Sequence, residues 1–180
     1  MSLVLVGGGC RSGKSRFSMK LALQRHSRPI YLATAQSLDG EMERRIAIHK
    51  SERSKSFTTI EESLDLIGTF LQLEKNSLVL VDCLTLWITN RLMNDDDDDS
   101  IVKHLDDSLK LLKSRSCASI WVSNEVGMGI MPMNALSRRF ADLTGWCHQM
   151  IADRADEVFL TMFGQPVPLK SKTGGWEGPG

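Results

Sequence analysis

Five short apolar runs punctuate the chain: LVLVG (3–7), PIYLAT (29–34), SLVLVD (77–82), ASIWVS (118–123) and EVFLTM (157–162). They are nearly continuous rather than alternating, which is the pattern of strands covered on both faces, as in a mainly parallel sheet. Between them the apolar positions recur at helical spacing, and helices are expected at about 14–26, 39–53, 61–74, 101–115 and 135–154. Strand and helix in alternation predict an α/β fold with crossover helices on both faces of the sheet. With no internal repeat and no linker, the pattern predicts a single domain over residues 1–170. The glycine-rich SKTGGWEGPG (171–180) is expected to be a loosely held tail, or one docked on a neighbour. The run NDDDDDS (94–100) is expected to be a solvated loop, because like charges side by side repel.

Composition narrows the function. A chain of 180 residues buries roughly 70% of its unfolded surface, enough for a real core. Lys plus Arg and Asp plus Glu both total 22, so no net field draws the protein to nucleic acid, and any basic site must be local. Aromatics at 6% do not supply the stacking stripes of a nucleic-acid enzyme. No apolar run is long enough to span a bilayer, so stable membrane insertion is not expected and a cytoplasmic location is. Cysteines at 10, 83, 117 and 147 show neither paired spacing nor a zinc pattern, so reduced thiols are expected.

The most informative stretch is VGGGCRSGKSRF (6–17). Gly8, Gly9, Cys10, Arg11, Ser12, Gly13, Lys14 and Ser15 fit the P-loop pattern, with a strand expected before it and a helix after it. Glycines let successive backbone N–H groups wrap a phosphate, and the helix N-terminus adds partial positive charge. Lys14 then reaches the β- and γ-phosphates, and the Ser15 hydroxyl sits on Mg²⁺. A second metal-holding oxygen is expected at the end of another core strand. Asp82, ending SLVLVD, fits, and could equally cap the segment that follows. The loop does not say which acceptor is used, since small-molecule kinases, ATPases and switch GTPases share it. A switch GTPase is disfavoured, because neither Asn-Lys-x-Asp nor a DxxG after the metal strand occurs.

On a helix over 39–53, Met42, Arg45, His49 and Arg53 share one face, so two guanidiniums flank an imidazole. Such a face is either a solvated basic surface or a phosphate-reading one with a neutral, nucleophilic histidine.

Taken in order, LVGGGCRSGKS, YLATAQSLDGEMERRIAIHK, VDCLTLWITN and VSNEVGMGIMPMNALSRRFADLTGWCHQMIADRADEV resemble the motifs of the bifunctional adenosylcobinamide kinase/adenosylcobinamide-phosphate guanylyltransferase family of cobalamin biosynthesis. The resemblance runs from residue 3 to about residue 160. It implies phosphorylation of adenosylcobinamide by ATP or GTP, then transfer of GMP from GTP to adenosylcobinamide phosphate through a guanylylated histidine, here His49. It also implies nucleotide contacts at Gly8 to Ser15, at Ala33, Thr34 and Ala35, at Lys50, Ser51, Glu52 and Arg53, and at Glu61 and Asp82. Glu61, expected at a helix start, would hold guanine or ribose, or would be only a first-turn acid. Arg53 is followed by Ser54 where the family often has Arg-Pro, and Asp82 stands where relatives can carry Glu. The family forms a homotrimer. NEVGMGIMPMN is expected to be a loop at the carboxyl ends of the strands, its Met128, Met131 and Met133 facing either a corrinoid or a neighbouring subunit. The alternative is a P-loop kinase or NTP sensor without guanylyl transfer, which would need no nucleophile at His49.

Overall fold

The computed structural model describes residues 2–36, 40 and 56–171. Seven strands form one sheet: β1 (Leu3–Gly8), β2 (Ile30–Ala33), β3 (Thr58–Glu61), β4 (Leu78–Asp82), β5 (Ala118–Asn124), β6 (Glu157–Met162) and β7 (Gln165–Lys170). Their order is β3-β2-β4-β5-β1-β6-β7, and every pairing is parallel except the β6–β7 hairpin. Five described helices accompany them: α1 (Lys14–Arg25), α2 (Leu66–Gln72), α3 (Leu84–Met93), α4 (Asp98–Ser114) and α5 (Ala135–Arg154).

The continuous apolar runs are explained by two cores, one on each face. Val4, Val6, Leu80, Ile120 and Val122 point to the face covered by Leu21 and Ala22 of α1. Leu3, Leu5, Val79, Val81 and Trp121 point to the other, where α2, α3, α4 and α5 contribute Phe70, Trp87, Leu105 and Leu143. Adjacent residues of one strand therefore serve different cores, which leaves no polar face for an alternating pattern.

Several expectations change. The segment 61–74 is not one helix. Thr58 to Glu61 pair in parallel with β2, and α2 begins only at Leu66, where Asp65 accepts the N–H of Gly68 at 2.9 Å. Two β-branched threonines and Ile60 favour the strand. LTLWITNRL becomes a helix because Leu84, Trp87, Ile88 and Leu92 are all buried on one side of it. The acidic run divides rather than forming a solvated loop. Asp97 caps α4 by accepting the N–H of Ser100 at 2.8 Å, and Asp98 and Asp99 occupy the first turn, where the helix dipole favours them. Arg139 pairs with Asp98 at 2.8 Å, and Arg91 pairs with Asp96, so cations from α3 and α5 answer the repulsion. The helix expected at 39–53 lies outside the described residues but for Gly40, and the expected tail lies outside them but for Ser171.

A buried latch ties the carboxyl ends of β2 and β4. The Thr34 hydroxyl accepts the Cys83 N–H and donates to the Cys83 carbonyl, both at 2.8 Å. Asn90 of α3 donates to the Thr34 carbonyl at 2.8 Å and to the Ser63 carbonyl at 3.1 Å. Asn90→Ala would leave both carbonyls without this donor, and a cost of about 2–4 kcal/mol is expected. The measurement is a urea transition with a lowered midpoint and unchanged slope. An unchanged midpoint would show that the latch does not depend on Asn90.

Candidate active site at the carboxyl edge of the sheet

β1 ends at Gly8, with Asn124 of β5 opposite it on one side and Thr161 of β6 on the other. The Gly8 carbonyl accepts the N–H of Glu125 at 3.0 Å. A Cβ at Gly8 would lie 2.5 Å from the Ser12 Oγ and 2.6 Å from the Thr161 carbonyl oxygen. Only glycine fits there, and the chain then loops over residues 9–12. Gly13, at φ 93°, is the residue before α1, a conformation costly for any residue with a side chain. The start of α1 has no side-chain cap and no acidic residue in its first turn, whereas α2, α4 and α5 are capped by Asp65, Asp97 and Asn134. Its free N–H groups and dipole therefore remain available to an anion. The Lys14 ammonium donates to the Gly9 carbonyl at 3.1 Å, folded back over the loop. Cys10 and Arg11 are exposed, Arg11 with φ 54°.

Asp82 ends β4, two strands from β1, opposite Ala33 of β2 and Val122 of β5. Its Oδ2 accepts the Tyr31 hydroxyl at 2.6 Å. The residue before α3 is Cys83, not Asp82, so the capping alternative for Asp82 falls away. Burial, with the charge of Asp82 beside it, pushes the Cys83 thiol up to about 11, which keeps it protonated. The donors suited to a metal here, the Asp82 carboxylate and the Ser15 hydroxyl, are oxygens, which is the chemistry Mg²⁺ prefers. Among the described residues, no three His, Cys, Asp or Glu side chains gather into a cage, so a cation here would share its coordination with substrate phosphates.

The other expected residues fall out differently. Thr34 is fully buried and its hydroxyl is engaged with Cys83, while the Ala33 carbonyl accepts the N–H of Glu62 at 3.1 Å. What this stretch offers a ligand begins with Ala35. Glu61 is exposed and ends strand β3 rather than starting a helix. His49, Lys50, Ser51, Glu52 and Arg53 lie outside the described residues.

Three further features have no counterpart in the local sequence pattern. Thr85 Oγ1 accepts from the Asn124 side chain at 3.1 Å, fixing the end of β5 to α3. His148 of α5 pairs with the buried Ser123 hydroxyl at 2.6 Å, and burial holds its imidazole below the usual value. The N–H of Gly164, in the β6–β7 turn, donates to the Ser12 carbonyl at 3.0 Å and supports the loop from the side. Each partner is far away in sequence, and only the resemblance marked their neighbourhood. Beyond β5, Met128, Ile130, Met131 and Met133 are all strongly exposed, on the same edge as the loop. The groove of about 390 Å³ lined by Arg25, His26, Asn76 and Glu157 lies at the opposite ends of the strands.

Comparison with known proteins agrees with this arrangement. The family described as cobinamide kinase / cobinamide phosphate guanyltransferase matches residues 4–169. The bifunctional adenosylcobalamin biosynthesis protein CobP of Pseudomonas aeruginosa is 46% identical over 171 residues, covering 93% of this chain and 97% of its own. The bifunctional adenosylcobalamin biosynthesis protein CobU of Salmonella typhimurium is 37% identical over 182 residues, covering 93% of this chain and 99% of its own. A solved protein from Pyrococcus horikoshii OT3 aligns with a TM-score of 0.52 over 94% of this chain and 86% of its own, at 11% identity, a likeness of fold alone. With a P-loop at the end of a central parallel strand and a match over nearly its whole length, the chain belongs to the cobinamide kinase / cobinamide phosphate guanyltransferase family.

Proposed function

We propose that the protein phosphorylates adenosylcobinamide with a nucleoside triphosphate and then transfers GMP from GTP to the resulting phosphate, giving adenosylcobinamide-GDP. The observation that carries this reading is the bare N-terminus of α1 behind Gly8 and Gly13, in a chain of this family. In the first reaction the loop N–H groups and Lys14 hold the β- and γ-phosphates while the acceptor hydroxyl attacks γ-phosphorus. Lys14 exchanges its Gly9 carbonyl for phosphate oxygens. Asp82 and Ser15 would hold Mg²⁺, which supplies charge neutralisation on the phosphates when bound. In the second reaction His49 attacks the α-phosphorus of GTP, pyrophosphate leaves, and the acceptor phosphate displaces the imidazole. Ala35, Lys50 to Arg53 and Glu61 are the candidates for holding the guanine nucleotide. A kinase or NTP sensor without the second reaction is not favoured, since both named relatives are bifunctional. The substrates and the reduced thiols suit a cytoplasmic enzyme, and the exposed residues 126–136 suit a homotrimer.

His49→Asn is expected to lose guanylyl transfer by at least about 10³-fold while keeping kinase activity. Incubation with GTP labelled at the α-phosphate should label the parent chain through an acid-labile, base-stable bond and leave the variant unlabelled. A labelled variant would place the nucleophile elsewhere, and loss of both activities in a folded variant would make His49 a binding residue. Asp82→Asn is expected to lower the Mg²⁺-dependent kinase rate about 100-fold or more with little change in nucleotide affinity without Mg²⁺; equal loss in both measurements would contradict the metal role. Gly8→Ala should remain folded yet lose nucleotide binding, because the inserted methyl displaces Ser12 or the β6 backbone. Calorimetric titration with a non-hydrolysable triphosphate tests this, and unchanged affinity would remove the loop from the site.

A further inference from the structure

Phe163 sits where the fold gains nothing from a phenyl ring. It is 97% exposed and takes a left-handed backbone at φ 53°, followed by Gly164 at φ 78°. The two residues form the turn between β6 and β7, with Met162 paired to Gln165. Two successive left-handed residues favour Asn-Gly, and a bulky side chain in the first place is disfavoured. Strain kept at an exposed position points toward a use outside the fold.

The surroundings of the turn say what that use is. Gly164 donates its N–H to the Ser12 carbonyl at 3.0 Å. A Cβ on Gly13 would lie 3.1 Å from the Gly164 Cα and 3.8 Å from the Thr161 Cγ2. The turn is thus packed against the residue before α1, where the phosphates are held. The strand order gives the loop two different sides. Asp82 stands on the β4 side, beyond β5, and Phe163 stands on the β6 side. The loop is therefore flanked by the strand end that carries Asp82 on one side and by the turn that carries the exposed Phe163 on the other. A nucleotide anchored by its phosphates must lay its base on one flank of the loop, and an exposed ring is the group that stacks on any base through its π face.

We propose that Phe163 is the stacking platform for the base of the nucleoside triphosphate held in the loop, which rests on the triphosphate reading above. Because stacking does not read the base edge, this platform accepts adenine and guanine alike and leaves the kinase reaction tolerant of either triphosphate.

The test separates base from phosphate. Phe163→Asn suits the turn better than phenylalanine, so the variant is expected to fold with an equal or higher melting temperature. Its affinity for a non-hydrolysable ATP analogue should fall about tenfold or more, while its affinity for inorganic tripolyphosphate stays at the parent value. Phe163→Trp should retain the nucleotide affinity, and light scattering should find parent and variants in the same oligomeric state. Equal weakening of nucleotide and tripolyphosphate would show that the turn only shapes the loop, and would overturn the proposal. So would unchanged nucleotide affinity in the Asn variant, or a change of oligomeric state in place of a change in affinity. If tripolyphosphate does not bind the parent protein, the phosphate reading of the loop fails first, and this inference falls with it.

Discussion

At position 8 the chain has room for backbone and nothing else. A methyl there would meet Ser12 and the Thr161 carbonyl well inside contact distance, and the Gly8 carbonyl is already committed to Glu125. The neighbouring strands therefore shape the phosphate loop from both sides, so the loop is an extension of the sheet more than an independent motif. β5 fixes where the loop leaves the sheet, and the β6–β7 turn supports it at Ser12 and Gly13. The core residues that set the spacing of β5, β1 and β6, among them Val6, Val122 and Trp121, thereby act on the geometry of the loop. In such a close-packed interior, small shifts are transmitted rather than absorbed.

Hydrogen bonds organise the other half of the edge. Asp82 ends β4, and the chain turns at once into α3. The Thr34 hydroxyl occupies both backbone groups of Cys83, and Asn90 closes the loops after β2 and β3 onto the same helix. These buried polar groups are worth little net while paired, but each is costly to orphan. They specify one arrangement of the loop ends around Asp82. The adjacent Cys83 thiol stays protonated, since burial, with the charge of Asp82 beside it, pushes it up to about 11.

The strongly buried elements were legible in the sequence, and the edges were not. β1, β4, β5 and β6 are continuous apolar runs because both their faces meet helices. β3 lies at the sheet edge with exposed Thr58, Thr59 and Glu61, so it lacks that signal; no strand was expected there, and only Glu61 fell within an expected helix. β7 is the other edge of the described sheet, carries Pro166 and Pro168, and pairs with β6; prolines are tolerated there because, among the described residues, no strand takes up the outer N–H groups. α3 is rich in leucine, isoleucine and threonine, and tertiary burial of Trp87 and Ile88 decides it. The strand–loop–helix placement of Gly8 to Ser15 and the strand-end position of Asp82 were legible because local chain geometry defines them. Thr85, Asn90, Ser123, His148 and Gly164 act through contacts made only after the chain closes, and no local pattern announces such roles.

A phosphate loop binds a charge without selecting a molecule, so selectivity must come from what surrounds it. Here part of the surroundings is apolar. Ile130 and Met133 are 98% exposed beyond β5, and Phe163 stands beyond β6, so two separate connections carry bare hydrophobic side chains to the same edge. Unburied hydrophobic groups oppose folding or at best add nothing to it, and exposed patches on an otherwise well-buried protein mark where something else will sit. The loop's polar backbone thus lies between two connections that carry exposed apolar side chains. Because β5 and β6 both pair with β1, these side chains and the loop from Gly8 to Ser15 keep a spacing that the sheet itself sets.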